Sequence, residues 1–232
     1  MLFRSCVVMF LPIGLAVSTL GGIAAGIVVR LAKNPAPQMT TLACVALLPL
    51  IFAPIEAQIR PTDAMGTVHT SIDIAASPEA VWDRIKRVAP IHDSELPAAW
   101  TTAIGFPKPD QATLSFEGIG GIRHATFQGG VLFVETIDVW EPAKRLAFAI
   151  HAEQVPSHTL DEHVTVGGQY FDVLRGDYTI EPLPNGSRLY LSSQHRVSTR
   201  FNWYSQLWTD AAMRDIQRSI LFVIKHRCEM NQ

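Results

Sequence analysis

Residues 5–29 contain no Asp, Glu, Lys or Arg, and this run restricts what the chain can fold into more than any other feature. A helix of that length rises about 37 Å at 1.5 Å per residue, enough to cross a hydrocarbon core of about 30 Å. A second charge-free run, 34–55, follows a short turn that holds Arg30, Lys33, Pro35 and Pro37. Two apolar runs joined so closely are expected to form a transmembrane hairpin. Gly14, Ser18, Gly22 and Gly26 recur every four residues on one face of the first run, and small residues there let another helix approach closely. The second run is the expected neighbour, with self-association as the other use of that face. A cleaved secretory signal has an apolar core of only about 7–15 residues, and here a second run follows at once. Arg4 and Arg60 flank the pair while Arg30 and Lys33 occupy its turn, so basic residues set no orientation. The expected location is a membrane, the inner one in a bacterium, with the side of the remaining chain open.

Charge is distributed unevenly, and the distribution separates the domains. Only Arg4, Arg30, Lys33, Glu56, Arg60 and Asp63 precede Gly66, which leaves 15 basic and 19 acidic side chains for the rest. A mildly acidic remainder without a run of lysines or arginines excludes a nucleic-acid partner. Cys6 and Cys44 lie in the apolar runs and Cys228 is near the C-terminus, so the later part has no internal disulfide and its redox compartment cannot be read. The expected division is a membrane hairpin over 1–56, a turn-rich linker over 57–66 with Pro61, Thr62, Asp63 and Gly66, and one domain over 67–232.

Within that domain, 67–74 alternates as a strand, and Ser77-Pro78-Glu79 opens a helix with a cap, a first-turn proline and an early acid. Val81, Trp82, Ile85 and Val88 form its buried stripe. Pro90, Pro97, Pro107 and Pro109 break the next stretch into short pieces. A period of two then predicts strands near 112–117, 121–128, 131–140 and 145–151, punctuated by Gly118, Gly120-Gly121, Gly129-Gly130 and Glu141-Pro142. After a polar insertion, 169–181 and 187–199 form a long hairpin around Pro184-Asn185-Gly186. Asn202 then caps a helix running to about 228, with Trp208, Ala212, Ile216, Ile220 and Val223 on one face. The expected fold is α+β: a curved antiparallel sheet of six to seven strands wrapped on a long C-terminal helix, after two transmembrane helices. The bend leaves a cavity between helix and sheet.

The segments "VHTSIDIAASPEAVWDRI" and "GGIRHATFQGGVLFVETIDVWEPAKRLAFAI", with the amphipathic terminal helix, resemble the START-like, Bet v 1-type (SRPBCC) superfamily, often labelled polyketide cyclase/dehydrase and lipid transport. The resemblance spans about 67–229. It rests on a capped Ser-Pro-Glu helix, a strand ending Glu-x-x-x-x-Trp-x-Pro and a closing helix, in that order. It implies a helix-grip fold around a hydrophobic cavity. Lipid carriers, aromatase/cyclases, hormone receptors and co-chaperone-like modules share that fold, so it does not choose a function. The membrane runs and the polar insertion at 151–168 depart from the common pattern.

Three groups of polar residues are candidates for chemistry. His195 ends a strand, with Arg196, Arg200, Tyr204, Asp210, Arg214 and Asp215 following; a histidine opposite a helical aspartate suits acid or base work near neutral pH, or it fixes a corner of the fold. Glu135 and Asp177, with Arg123 and Arg175, offer an inward carboxylate paired with an arginine that would orient a polar ligand group, or a solvated outer face. Simple alternation puts Arg175 and Asp177 on one face with Phe171 and Val173. His151, His158, Asp161, Glu162 and His163 crowd the insertion without metal-ligand spacing, and no metal is expected. Neither a phosphate loop nor a Gly-x-Ser-x-Gly elbow occurs, and no cofactor is expected.

Among the many aromatics, Phe116, Phe127, Phe133, Phe148, Phe171 and Trp208 are expected to line the cavity with Ala212 and Ile216, beside Arg123, Glu135 and His195. The leading expectation is a membrane-anchored module that binds or transfers a lipid or other hydrophobic small molecule. The alternatives are a cyclase/dehydratase using His195, Glu135 or Asp177, and a non-catalytic interaction module. Oligomeric state is not legible.

Overall fold

The structure, a computed structural model, describes residues 4–31, 61–156 and 165–230. The chain divides at Thr62 and Asp63 into two compact units.

In the first unit, helix α1 spans Arg4–Leu31. Its stretch Val7–Ile27 is long and apolar enough to cross a membrane, judged by length and composition. Leu15, Val17, Leu20 and Ile23 are each more than half exposed, so apolar surface lies open around the helix. Where two such helices were expected, the described residues hold one; the run 34–55 lies outside them. Among the described residues nothing comes within 4 Å of a Cβ built at Gly14, Gly22 or Gly26.

In the second unit, β1 (Ala64–Ile74) leads into α2 (Pro78–Lys86). The Ser77 hydroxyl caps α2 by accepting from the Ala80 amide at 3.3 Å, and Pro78 loses nothing at a position where its missing N–H would be unpaired anyway. A single 3₁₀ turn (Asp93–Glu95) and a one-turn helix, α3 (Trp100–Ala103), follow among the prolines. The remaining strands are β2 (Pro109–Leu114), β3 (Ile122–Phe127), β4 (Val131–Glu141), β5 (Arg145–Gln154), β6 (Phe171–Leu183) and β7 (Gly186–Val197). The last element is α4 (Asn202–Glu229). All seven strands form one curled antiparallel sheet in the order β1-β7-β6-β5-β4-β3-β2. The β6–β7 hairpin turns tightly at Gly186, whose φ is +146° and where a Cβ would lie 2.1 Å from the Ile74 carbonyl; only glycine fits there.

Directly paired residues of an antiparallel sheet share a face. Register therefore fixes one concave surface: Gly66, His195 and Val173 in one row, Leu146 and Tyr178 in another, then Phe148 with Gly176, Glu135 with Arg123, and Phe133 with Ala125. α4 packs on this side, chiefly along β1. At the end of the sheet nearest α2, the concave surface is filled: Val81, Ile85, Ile137, Leu146, Leu189 and Leu221 are no more than 1 % exposed. Trp140 packs edge-on against Trp82 at 4.9 Å in this cluster, which accounts for the tryptophan at the end of β4.

Simple alternation does not hold along β6. A bulge between Val173 and Arg175 inserts a residue into β6, so Phe171 and Val173 face inward while Arg175 and Asp177 face outward. On the outside Arg175 pairs with Asp138, and Arg145 with Asp177 at 2.6 Å.

Candidate functional site

The concave face is packed at one end and open at the other. Phe127, Phe133, Ile150, Phe171 and Val173 point inward by register, yet all are only partly buried. Trp208 and Ile216 on α4 are partly buried too, while Ala212 between them is 5 % exposed. Apolar groups on the lining of a curled sheet keep accessible surface where sheet and helix do not meet, so this half keeps an accessible apolar lining on its concave side. Phe127 and Phe133 sit edge to face at 5.4 Å along it.

A buried charged cluster marks the boundary between the two halves. Arg123 and Glu135 are opposite each other on β3 and β4, with side chains 4 % and 8 % exposed, and they form an ion pair. The Arg123 guanidinium carbon also lies 5.3 Å over the Phe148 ring. Burial pushes the Glu135 carboxyl above its ordinary range, and the Arg123 charge opposes that rise. Burial likewise holds the Tyr178 phenol upward. Arg123 Nε is buried with no hydrogen-bond partner among the described residues, so one donor of a permanently charged group is left unsatisfied there.

His195 lies farther along β7. It is 0 % exposed, its Nε2 is 3.5 Å from Asp210 Oδ1 on α4, and neither ring nitrogen bonds a protein group among the described residues. Gly66 makes the space: a Cβ there would lie 2.5 Å from two ring atoms. Next along the same seam Gln217, 3 % exposed, accepts from Thr70 Oγ1 at 2.6 Å and donates to Ser193 Oγ at 2.8 Å. A row of buried polar groups thus fixes α4 against β1 and β7.

Burial pushes the His195 pKa below its ordinary value, and the Asp210 charge only partly offsets this. Below pH 6.5 the unfolded chain therefore takes up a proton that the folded one refuses. Stability from this site is complete above that pH and is lost as pH falls toward the depressed value, at a limiting slope of about 1.4 kcal/mol per pH unit. Thermal melts between pH 7.5 and 5.5 should show the wild-type midpoint falling more steeply than that of His195→Gln. Parallel curves would mean that His195 protonates freely in the folded protein.

The other sequence candidates are dispersed. Asp177 is on the outer face with Arg145, and Phe116, 53 % exposed, is on the β2–β3 connection at the packed end. Phe148 is 3 % exposed and lines the packed half. Asp215 accepts from the Thr101 amide and hydroxyl at 3.0 and 2.8 Å, which ties α4 to α3. His151 is exposed on β5, while His158, Asp161, Glu162 and His163 lie outside the described residues.

A cleft of about 440 Å³ escaped the sequence reading. It lies between α2, β2 and α4, with Val88, Leu114 and Ile224 on its floor and Arg84, Arg87 and Arg227 around it. Arg227 grips Glu95 through two bonds of 2.7 and 2.9 Å, holding that carboxyl down to about 2. Arg84 and Arg87, one helical turn apart just before Pro90, are the signal that marks this cleft in the sequence.

No family model matches the chain. No curated protein matches it in sequence. Solved structures resemble it at low identity. A Thermus thermophilus protein aligns with a TM-score of 0.46 at 16% identity, covering 72% of this chain and 99% of its own. The Zhui aromatase/cyclase from Streptomyces sp. R1128 gives 0.42 at 16%, covering 72% and 96%. Ara h 8.0201 gives 0.45 at 12%, covering 72% and 100%. At these scores the likeness says nothing of activity.

Proposed function

We propose that the protein binds a hydrophobic small molecule, of lipid or polyketide-like size, in the open half of the concave sheet, and that its N-terminal apolar helix holds it in a membrane. The observation that carries this reading is the set of inward-facing side chains Phe133, Ile150, Phe171, Val173 and Ile216, all left partly accessible beside a buried arginine with an unsatisfied donor. Apolar walls with few, well-placed polar groups are what ligand pockets are made of. An anchor suits such a ligand, because an apolar molecule concentrates in the bilayer where a tethered binder meets it at high effective concentration.

Catalysis of the cyclase/dehydratase kind needs an acid or base that touches the substrate. His195 is sealed at 0 % exposure, Glu135 is bound to Arg123, and Asp177 lies on the outer face. Binding without chemistry is the better-supported reading.

Photo-crosslinking tests it. Full-length protein in membranes is irradiated with a diazirine-bearing acyl probe and its adducts are mapped to peptides. Adducts are expected on the peptides carrying Phe133, Ile150, Phe171 and Ile216, and a competing apolar ligand should remove them. Adducts confined to α1 would sink the proposal, and adducts confined to the Arg84–Arg227 cleft would move the site there.

A further inference from the structure

The open end of the sheet carries an exposed apolar and aromatic face that the concave lining does not use. Phe201 is 50 % exposed, Trp203 64 % and Leu207 63 %. They lie together at the start of α4, Trp203 and Leu207 one helical turn apart, and Gln206 donates to the Met65 carbonyl at 3.2 Å, which holds this turn beside the start of β1. A run of edge-to-face rings continues from this surface to partly buried Trp208 and on to Trp100, itself 36 % exposed: Trp203 to Tyr204 at 5.6 Å, Tyr204 to Trp208 at 6.5 Å, and Trp208 to Trp100 at 6.2 Å.

The chain enters the domain at the same place. Asp63 accepts from the Ser198 hydroxyl, which in turn accepts from Arg196, so the first residues of β1 are clamped three positions before Phe201. Residues 56–63 separate this clamp from the end of the charge-free run at 55, and eight residues reach at most about 28 Å when extended. We infer that the face formed by Phe201, Trp203 and Leu207 lies on the lipid surface of the membrane that holds the N-terminal segment. The composition fits that partner. Tryptophan and tyrosine concentrate at the membrane–water boundary because they join an apolar ring to a polar edge, and exposed Arg200 beside them meets anionic headgroups. The inference rests on the reading of α1 and of the charge-free run to residue 55 as a membrane anchor.

Spin-label accessibility separates the two claims. The full chain, with Cys6 and Cys44 replaced by serine and Cys228 by alanine, is reconstituted in nanodiscs of phosphatidylethanolamine and phosphatidylglycerol. A nitroxide is placed in turn at Leu20→Cys in α1, Trp203→Cys, Leu207→Cys and, as a solvent control, Thr136→Cys on the outer face of β4. Collision rates are read with oxygen, which enters lipid, and with a nickel chelate, which does not. Labels at positions 203 and 207 should favour oxygen over nickel several-fold relative to position 136. A ratio at both equal to the control, with the label at position 20 in lipid, overturns the docking face and leaves the anchor standing. Shielding of 203 and 207 from both reagents overturns it too, by showing protein on that face. A label at position 20 that collides with nickel as freely as the control overturns the anchor and the docking face with it.

Discussion

Replacing Arg123 with methionine should cost the domain about 3–5 kcal/mol, because it strands the buried Glu135 carboxylate without its counter-charge. Set against a usual domain stability of about 5–15 kcal/mol, a loss of that size is seen directly in denaturant or thermal unfolding followed by tryptophan fluorescence. The side chains of Arg123 and Glu135 are 4 % and 8 % exposed, so water cannot take over when one partner is removed. Glu135→Leu alone should be comparably damaging, since it leaves the guanidinium unpaired. The double variant Arg123→Met, Glu135→Leu should recover most of the loss, since exchange of a whole buried ion pair for apolar groups is often neutral or stabilising by about 1–4 kcal/mol. If the double variant is stable but no longer holds a ligand, the pair exists for recognition rather than for folding. A single-variant cost below about 1 kcal/mol would show that water reaches the pair.

Phe148→Ala is expected to be as severe, about 3–5 kcal/mol, but with a different accompaniment. The ring is 3 % exposed, and Gly176 across the strand pair has no side chain because a Cβ there would lie 2.4 Å from the ring. Arg123 lies over the ring at 5.3 Å, so truncation removes a desolvated cation–π contact, worth about 2 kcal/mol in such surroundings, together with the packing. The missing ring would join the packed half of the sheet to the open half. Any retained ligand population should therefore shift to longer or bulkier molecules, read as a mass shift of what co-purifies. Wild-type stability together with an unchanged ligand profile would mean that Phe148 does not form the wall between the two halves.

Much of the architecture was legible in the sequence because its punctuation is unambiguous. Ser77-Pro78-Glu79 opens a helix, Gly120-Gly121 and Gly129-Gly130 bracket β3, and Asn202 begins the last helix. What stayed open was the face of β6. One extra residue between Val173 and Arg175 reverses every later side chain, and no local pattern announces a bulge. Arg175 and Asp177, on one face with Phe171 by simple alternation, are for that reason outside while Phe171 is inside. Two pairings were open options in the sequence, Glu135 with Arg123 across a hairpin and His195 with a helical aspartate, whereas the space that Gly66 leaves for the His195 ring depends on the pairing of β1 with β7. The polar seam of Gln217, Thr70 and Ser193 left no trace, since a glutamine on a helix is ordinarily solvated.

Native mass spectrometry of the full-length protein, released from nanodiscs inside the spectrometer, tests the central claim most directly. A discrete bound mass is expected to survive activation sufficient to strip loose lipid. In a variant whose open half is filled by Ile150→Trp and Val173→Trp, that mass should be absent while unfolding remains cooperative. A wild type without such a mass, or a filled variant that carried the same one, would contradict the claim, since the molecule would then be absent or held elsewhere.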